Sequence, residues 1–212
     1  NDDLKVIDVS NPSNPILSNS LVIGDFPYSV AVSGNYAYVV DQNSNDIKVI
    51  NVSDPTAPSL SGYVLGIGVT PLLVKVSGDY AYVVNYQDSD HGLRVIDISD
   101  PNNPILRGSF ATGWNSTSVA ISGDYAYVVG HTSDDIKVIN ISNPDSLFLR
   151  GSLGLGNTPA DVAVSGNYAY VLDVTSNDIK VINISDPDSL FISSSERRYL
   201  LERHNLSILS ST

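Results

Sequence analysis

Apolar residues recur along the chain as short runs broken by polar turns, never as long amphipathic stretches. Tyr36-Ala-Tyr-Val-Val40 is nearly continuous apolar sequence, the pattern of a strand covered on both faces. Ser29-Val-Ala-Val-Ser-Gly34 before it is a β-branched run, and Gly34-Asn35 reads as a tight turn between the two. A polar stretch, Asp41 to Asp46, leads into a third strand, Ile47 to Ser53. Asp54-Pro-Thr-Ala-Pro58 is a turn, because Pro fixes φ and removes a donor. Ser59 to Val64 is a weaker strand, suited to an outer edge. No unit contains a convincing helical period.

This unit is repeated. Ser33-Gly-Asn-Tyr-Ala-Tyr-Val-Val40 returns at 77–84, 122–129 and 165–172. Leu4-Lys-Val-Ile-Asp-Val-Ser10 returns at 47–53, 93–99, 136–142 and 179–185. A fixed period of this size, with four short antiparallel strands in each copy, predicts the blades of an all-β propeller. Ala37, Ala81, Ala126 and Ala169 would let neighbouring sheets approach beside large Tyr rings. Eight of the twelve tyrosines lie in Tyr-Ala-Tyr, and that regularity marks packing rather than a site.

The stretches Val30-Ala-Val-Ser-Gly-Asn-Tyr-Ala-Tyr-Val-Val-Asp41 and Ile47 to Pro58 resemble the LVIVD-type repeat of bacterial and archaeal β-propellers, related in style to surface-layer propellers of the YVTN type. The likeness covers about residues 4–192. It implies an exported or cell-surface protein and a non-catalytic interaction scaffold. It implies no particular ligand.

The strand count is uneven. Five third-strand motifs accompany only four Tyr-Ala-Tyr strands, so the chain enters in mid-blade. About five blades are expected, four complete and one split or incomplete. Either the ring closes irregularly, or this is an arc of four and a half blades from a larger propeller. Residues 1–192 form the repeats. Residues 193–212 read as a short helical or irregular tail that closes or links. Ser193-x-x-Glu196 resembles a helix capping box, with a short helix from Tyr199 to His204. Alternatively, Asn205 to Leu209 forms a strand that pairs with the first half-blade.

Charge narrows the partners. The net charge of −12 argues against a DNA-backbone binder, which needs clustered Lys and Arg. It also argues against docking on anionic lipid. No apolar run is long enough for a membrane helix, and with no Cys there is neither a disulfide framework nor a thiol nucleophile. The start at Asn1, without Met or a signal-like segment, suggests a processed or trimmed product.

Candidate chemistry falls on loops, where differences between copies carry specificity. Two loop sets should share one face. One joins the second and third strands of each blade (41–46, 85–92, 130–135, 173–178), and the other joins successive blades (24–29, 66–71, 112–118, 155–161). Phe26, Tyr28, Tyr86 and Trp114, with Asn115 beside them, could form an aromatic contact patch for a sugar or protein. Asn115 is also the best glycosylation candidate among the Asn-x-Ser/Thr sequons. Asp41, Asn43 and Asn45 alternate as at the start of a calcium loop, although the stretch also reads as a plain Asx-rich hairpin. His91 and His131 lie in corresponding loops and could bind a transition metal, or simply be exposed. Lys5, Lys48, Arg94, Lys137 and Lys180 occupy one repeated position. Each could face a shared funnel, or pair with the Asp two residues before it where one is present.

These features support three readings of function. The first is an extracellular or cell-surface scaffold that binds a protein or glycan through its inter-blade loops, with no cofactor or with calcium. The second is a structural subunit that self-assembles through open blade edges. The third is a metal-assisted propeller hydrolase.

Overall fold

The computed structural model describes residues 2–87, 92–113 and 115–197, and within them every regular element is a β-strand. The first sheet has two strands, β1 (Asp3–Asp8) and β2 (Ile16–Val22). The second holds β3 (Pro27–Ser33), β4 (Tyr36–Asp41), β5 (Asp46–Asn51) and β6 (Ser59–Leu65). The third holds β7 (Pro71–Ser77), β8 (Tyr80–Asn85), β9 (Leu93–Asp97) and β10 (Ile105–Phe110). The fourth holds β11 (Ser116–Ser122), β12 (Tyr125–Gly130), β13 (Asp135–Asn140) and β14 (Phe148–Gly154). The fifth holds β15 (Pro159–Ser165), β16 (Tyr168–Asp173), β17 (Asp178–Asn183) and β18 (Phe191–Arg197). All pairings are antiparallel between sequence neighbours. This is the expected all-β propeller architecture of four-stranded blades.

Local chemistry fixes each blade. The turn between its first two strands uses Gly34, Gly78, Gly123 or Gly166 at positive φ, near 55°, a conformation that costs Gly nothing. The third strand ends in a side-chain cap. Asn51 Oδ1 accepts from the backbone N and the Oγ of Ser53, at 2.9 and 2.7 Å. Asp97, Asn140 and Asn183 do the same with Ser99, Ser142 and Ser185. The exchange of Asp for Asn at this place therefore preserves one acceptor, which opens the following Asx-Pro turn.

Each complete sheet presents a front face to the sheet before it, and each but the last presents a back face to the sheet after it. Tyr38, Val40, Ile47 and Val49 on the back of the second sheet pack on Val74, Ala81, Val83 and Ile96 of the third. The third and fourth sheets meet in the same way, through Tyr82, Val84, Leu93 and Val95 against Val119, Ala126, Val128 and Ile139. So do the fourth and fifth, through Tyr127, Val129, Ile136 and Val138 against Val162, Ala169, Val171 and Ile182. The core is thus a set of flat layers between sheets. A smaller layer joins the first sheet to the second through Leu4, Leu21, Ile23, Ala37, Val39 and Ile50.

On the outer, fourth strands, glycine permits close approach. A Cβ on Gly62, Gly108 or Gly151 would lie within 2.1–2.7 Å of a backbone carbonyl oxygen in the next sheet's Pro-containing turn, that of Pro101, Pro144 or Pro187. Arg107 and Arg150 clamp the same turns, each making a two-pronged pair with Asp145 or Asp188 of the next sheet.

One expectation is corrected. Ser193 and Glu196 lie in β18, not at a helix cap, and the last sheet runs to Arg197. Strand pairing to β17 satisfies the backbone there and outweighs the local capping pattern. The expected helix from Tyr199 to His204 and the alternative strand from Asn205 to Leu209 lie outside the described residues.

Candidate functional site

Both loop sets converge on one rim, and backbone bonds repeated in each complete sheet hold them together. The residue after the second strand donates to the residue before the first: Gln42 N to Phe26 O (3.1 Å), Tyr86 N to Thr70 O (3.0 Å), His131 N to Asn115 O (2.8 Å) and Val174 N to Thr158 O (3.1 Å). Further bonds run between sheets, from Ile67 N to Asn45 O (3.1 Å), from Leu155 N to Asp134 O (2.7 Å) and from Asn115 N to Tyr86 O (2.8 Å). Asn45, Thr70, Asn115, Asp134, Asn157 and Asn177 take positive φ here. The rim is therefore a braced backbone lattice whose side chains differ from copy to copy.

Phe26 and Tyr28 stack, with ring centroids 6.2 Å apart and planes at 29°, and both rings are about half exposed. Tyr28 also lines a groove of about 140 Å³ between the first two sheets, with Asp3, Leu4, Ile23 and Val30 among its walls. Tyr86 lies one sheet further on and bonds through its backbone to both neighbouring loops. Asn115 donates from Nδ2 to Thr132 Oγ1 (2.6 Å), so its side chain ties two loops together. Trp114 and His91 lie outside the described residues. His131 is exposed.

The loop that resembles a calcium site is tied up internally. Asp41 is buried. Its Oδ1 accepts from the backbone N of Asn43 (3.1 Å) and Ser44 (3.2 Å), and its Oδ2 from Asp25 N (2.9 Å). Asn43 Nδ2 donates to Asp25 O (3.2 Å), and Asn45 Oδ1 accepts from Thr70 N (3.0 Å). Burial pushes the Asp41 carboxyl up, but the backbone donors and the Lys48 charge more than reverse this and hold it at about 2. Among the described residues no three His, Cys, Asp or Glu side chains cluster as a metal site would require.

The repeated cations pair within their own blades. Lys48 Nζ lies 2.6 Å from Asp46 Oδ1 and 3.5 Å from Asp41 Oδ2. Lys180 Nζ lies 2.8 Å from Asp173 Oδ2 and 2.9 Å from Asp178 Oδ1, with all three side chains buried. Lys5 pairs with Asp3 and Lys137 with Asp135. Burial opposes the charge on Lys180, but its two carboxylate partners raise it above the ordinary lysine range. In the complete sheets, the ammonium groups of Lys48, Lys137 and Lys180 therefore act as struts at the loop between the second and third strands.

The Arg107–Asp145 and Arg150–Asp188 clamps did not emerge from the sequence. The available signal was an Arg before the fourth-strand Gly and an Asp just after the next Asn/Asp-Pro pair.

Comparison with known proteins settles the family. The repeat described as LVIVD matches residues 1–22, 27–65, 73–112, 114–154 and 156–195. The chain belongs to the LVIVD repeat family. No curated protein matches it. Among solved structures it is similar to a protein from Lactobacillus plantarum, with TM-score 0.78 and 18% identity over 92% of this chain and 62% of that one. It is similar to a periplasmic gluconolactonase from Pseudomonas aeruginosa, with TM-score 0.76 and 15% identity over 91% and 63%. It is also similar to the β-propeller domain of Cps50 (Swd1) from Myceliophteria thermophila, with TM-score 0.64 and 12% identity over 85% and 62%. At these identities the likeness is one of fold. The LVIVD chain spans about three fifths of the length of each of these structures.

Proposed function

We propose that this LVIVD propeller is a binding scaffold, working outside the cell or at a bacterial or archaeal cell surface, that recognises a protein or glycan through its loop rim. The observation that carries this reading is the stacked, half-exposed Phe26–Tyr28 pair beside a groove on a rigid rim. Aromatic faces give large contact area at small entropic cost, and polar loop groups beside them supply orientation. Asn43 on the rim is such a group. The struts consume the repeated Lys and Asp pairs, which supports binding over bond chemistry. The acidic surface favours a cationic or neutral partner.

The test is a binding screen against glycans and surface proteins, read through Trp114 fluorescence. A ligand found this way should bind the Phe26→Ala/Tyr28→Ala double variant roughly tenfold more weakly or worse. Binding unchanged by that variant would sink the assignment of the rim. Lactone hydrolysis above background, the activity carried in the name of the Pseudomonas aeruginosa neighbour, would replace the scaffold reading with an enzymatic one.

A further inference from the structure

The core layers do not tell one sheet from another. The front faces of the third, fourth and fifth sheets present the same Val, Ala, Val and Ile, as in Val74, Ala81, Val83 and Ile96. The backs that meet them differ only by Leu93 in place of Ile. A chain of near-identical repeats risks stacking in the wrong order while it folds. The sheets do differ at one pair of places. Every fourth strand carries a bulge, and the residue left without a partner there is Ser18, Ser61, Arg107, Arg150 or Ser193. A bulge re-aims a side chain, and both arginines reach the residue after Pro in the next sheet's turn. Arg107 Nε and Nη2 lie 2.8 and 2.6 Å from the two carboxylate oxygens of Asp145, and Arg150 holds Asp188 in the same way. At the two earlier junctions the same places hold Ser18 with Thr56 and Ser61 with Asn102. Charge meets charge, and neutral meets neutral, at each of these junctions.

We propose that these pairs are an address that selects which sheet stacks on which during folding. The third sheet carries it. Of the four complete sheets it alone is neutral in front, at Asn102, and charged behind, at Arg107. If the third sheet were bypassed, Asp145 of the fourth would face Ser61 of the second, and Arg107 would lose Asp145. If one third sheet stacked behind another, Arg107 would face Asn102. Each error forfeits a two-pronged, charge-assisted pair. The Asp145 and Asp188 side chains are about half exposed, so the pairs add little to overall stability. Their effect falls on the choice between neighbours, which depends on a difference in free energy rather than on its total. This proposal goes beyond the loop-rim reading and does not depend on it.

Refolding from urea tests it, followed by limited proteolysis that counts chains cut within the third sheet, the mark of a sheet left out of the stack. Two double variants move the address. Arg107→Ser/Asp145→Asn gives the third junction the neutral pair of the second, and shifts the change from neutral to charged onto the fourth sheet. Ser61→Arg/Asn102→Asp gives the second junction the charged pair of the third, and shifts that change onto the second sheet. Each new residue already stands at the same place in another sheet, so the blades accommodate it. Both variants should keep a urea midpoint close to that of the original chain and yield roughly fivefold more cut chains, the preference that one exposed pair can supply. The second variant separates the address from plain stabilisation, because it adds a clamp and is still expected to refold worse. A rise in neither variant overturns the proposal. A rise in only one also overturns it, because loss of a clamp alone, or added charge alone, then accounts for the result.

Discussion

The fourth and fifth sheets carry nearly the same words and meet opposite fates. Tyr125-Ala-Tyr-Val-Val129 and Tyr168-Ala-Tyr-Val-Leu172 are both second strands with identical pairing. Yet Tyr127 is 4% exposed and Tyr170 is 38% exposed. The difference lies wholly in the neighbour behind each sheet. The back of the fourth is covered by the fifth, and the back of the fifth by nothing among the described residues. Burial in this architecture is a property of the neighbour, not of the motif, as expected when repeats are stabilised largely by nearest-neighbour interfaces.

The largest expected contrast comes from truncating these two rings. Tyr127→Ala should cost about 3–5 kcal/mol in urea unfolding, the range for removing a large buried side chain. Tyr170→Ala should cost less than about 1 kcal/mol in dilute solution, as for an exposed position. Equal costs would mean that the fifth sheet is covered after all.

A second contrast sets buried ion pairs against exposed ones. Asp173→Ala leaves Lys180 with one carboxylate inside the sheet and should destabilise by about 3 kcal/mol. Arg150→Ala removes the clamp on the turn holding Asp188, where both partners are substantially exposed, and should move the urea midpoint much less. A larger effect for Arg150 would show that the clamps, not the struts, hold the blades in register.

Acid should weaken the sheets through the same struts. Asp41, held at about 2, has a folded value below its ordinary carboxylate range. Its contribution is therefore fully present above that range and is lost as pH falls towards 2. The shift corresponds to about 2 kcal/mol. Asp173 and Asp178 are lowered despite burial, by Lys180 and by Ser176, and act in the same direction. Urea midpoints measured from pH 5 down to pH 2 should fall, and Asp41→Asn should fall less steeply. Parallel slopes for the two proteins would remove Asp41 as a cause.

The fold was legible because each blade is specified locally. Gly34 and its three counterparts fix the hairpins, and Tyr-Ala-Tyr announces a strand covered on both sides. Asn51 or Asp97 marks the cap before each Pro turn. The Lys–Asp struts were legible in part, because the pairs at a spacing of two could be seen, whereas Asp41 and Asp173 join from the facing strand and needed the register. The arginine clamps cross between sheets, so their partners are set by packing rather than by local pattern. Phe26 and Tyr28 were singled out only as loop aromatics. Their stacking and their position over a half-filled sheet depend on strands that precede β3. The last strand misled because Ser193-x-x-Glu196 carries a helical signal, and the open edge of β17 overrides it.

One measurement bears most directly on the claim that neighbours, not motifs, decide burial. Nitration of tyrosines in dilute protein, mapped by mass spectrometry, reads the exposure of each ring. Tyr168 and Tyr170 should be modified readily, and Tyr38, Tyr82 and Tyr127, each buried by a following sheet, should be spared. Equal protection of Tyr127 and Tyr170 in a monomeric sample would contradict it.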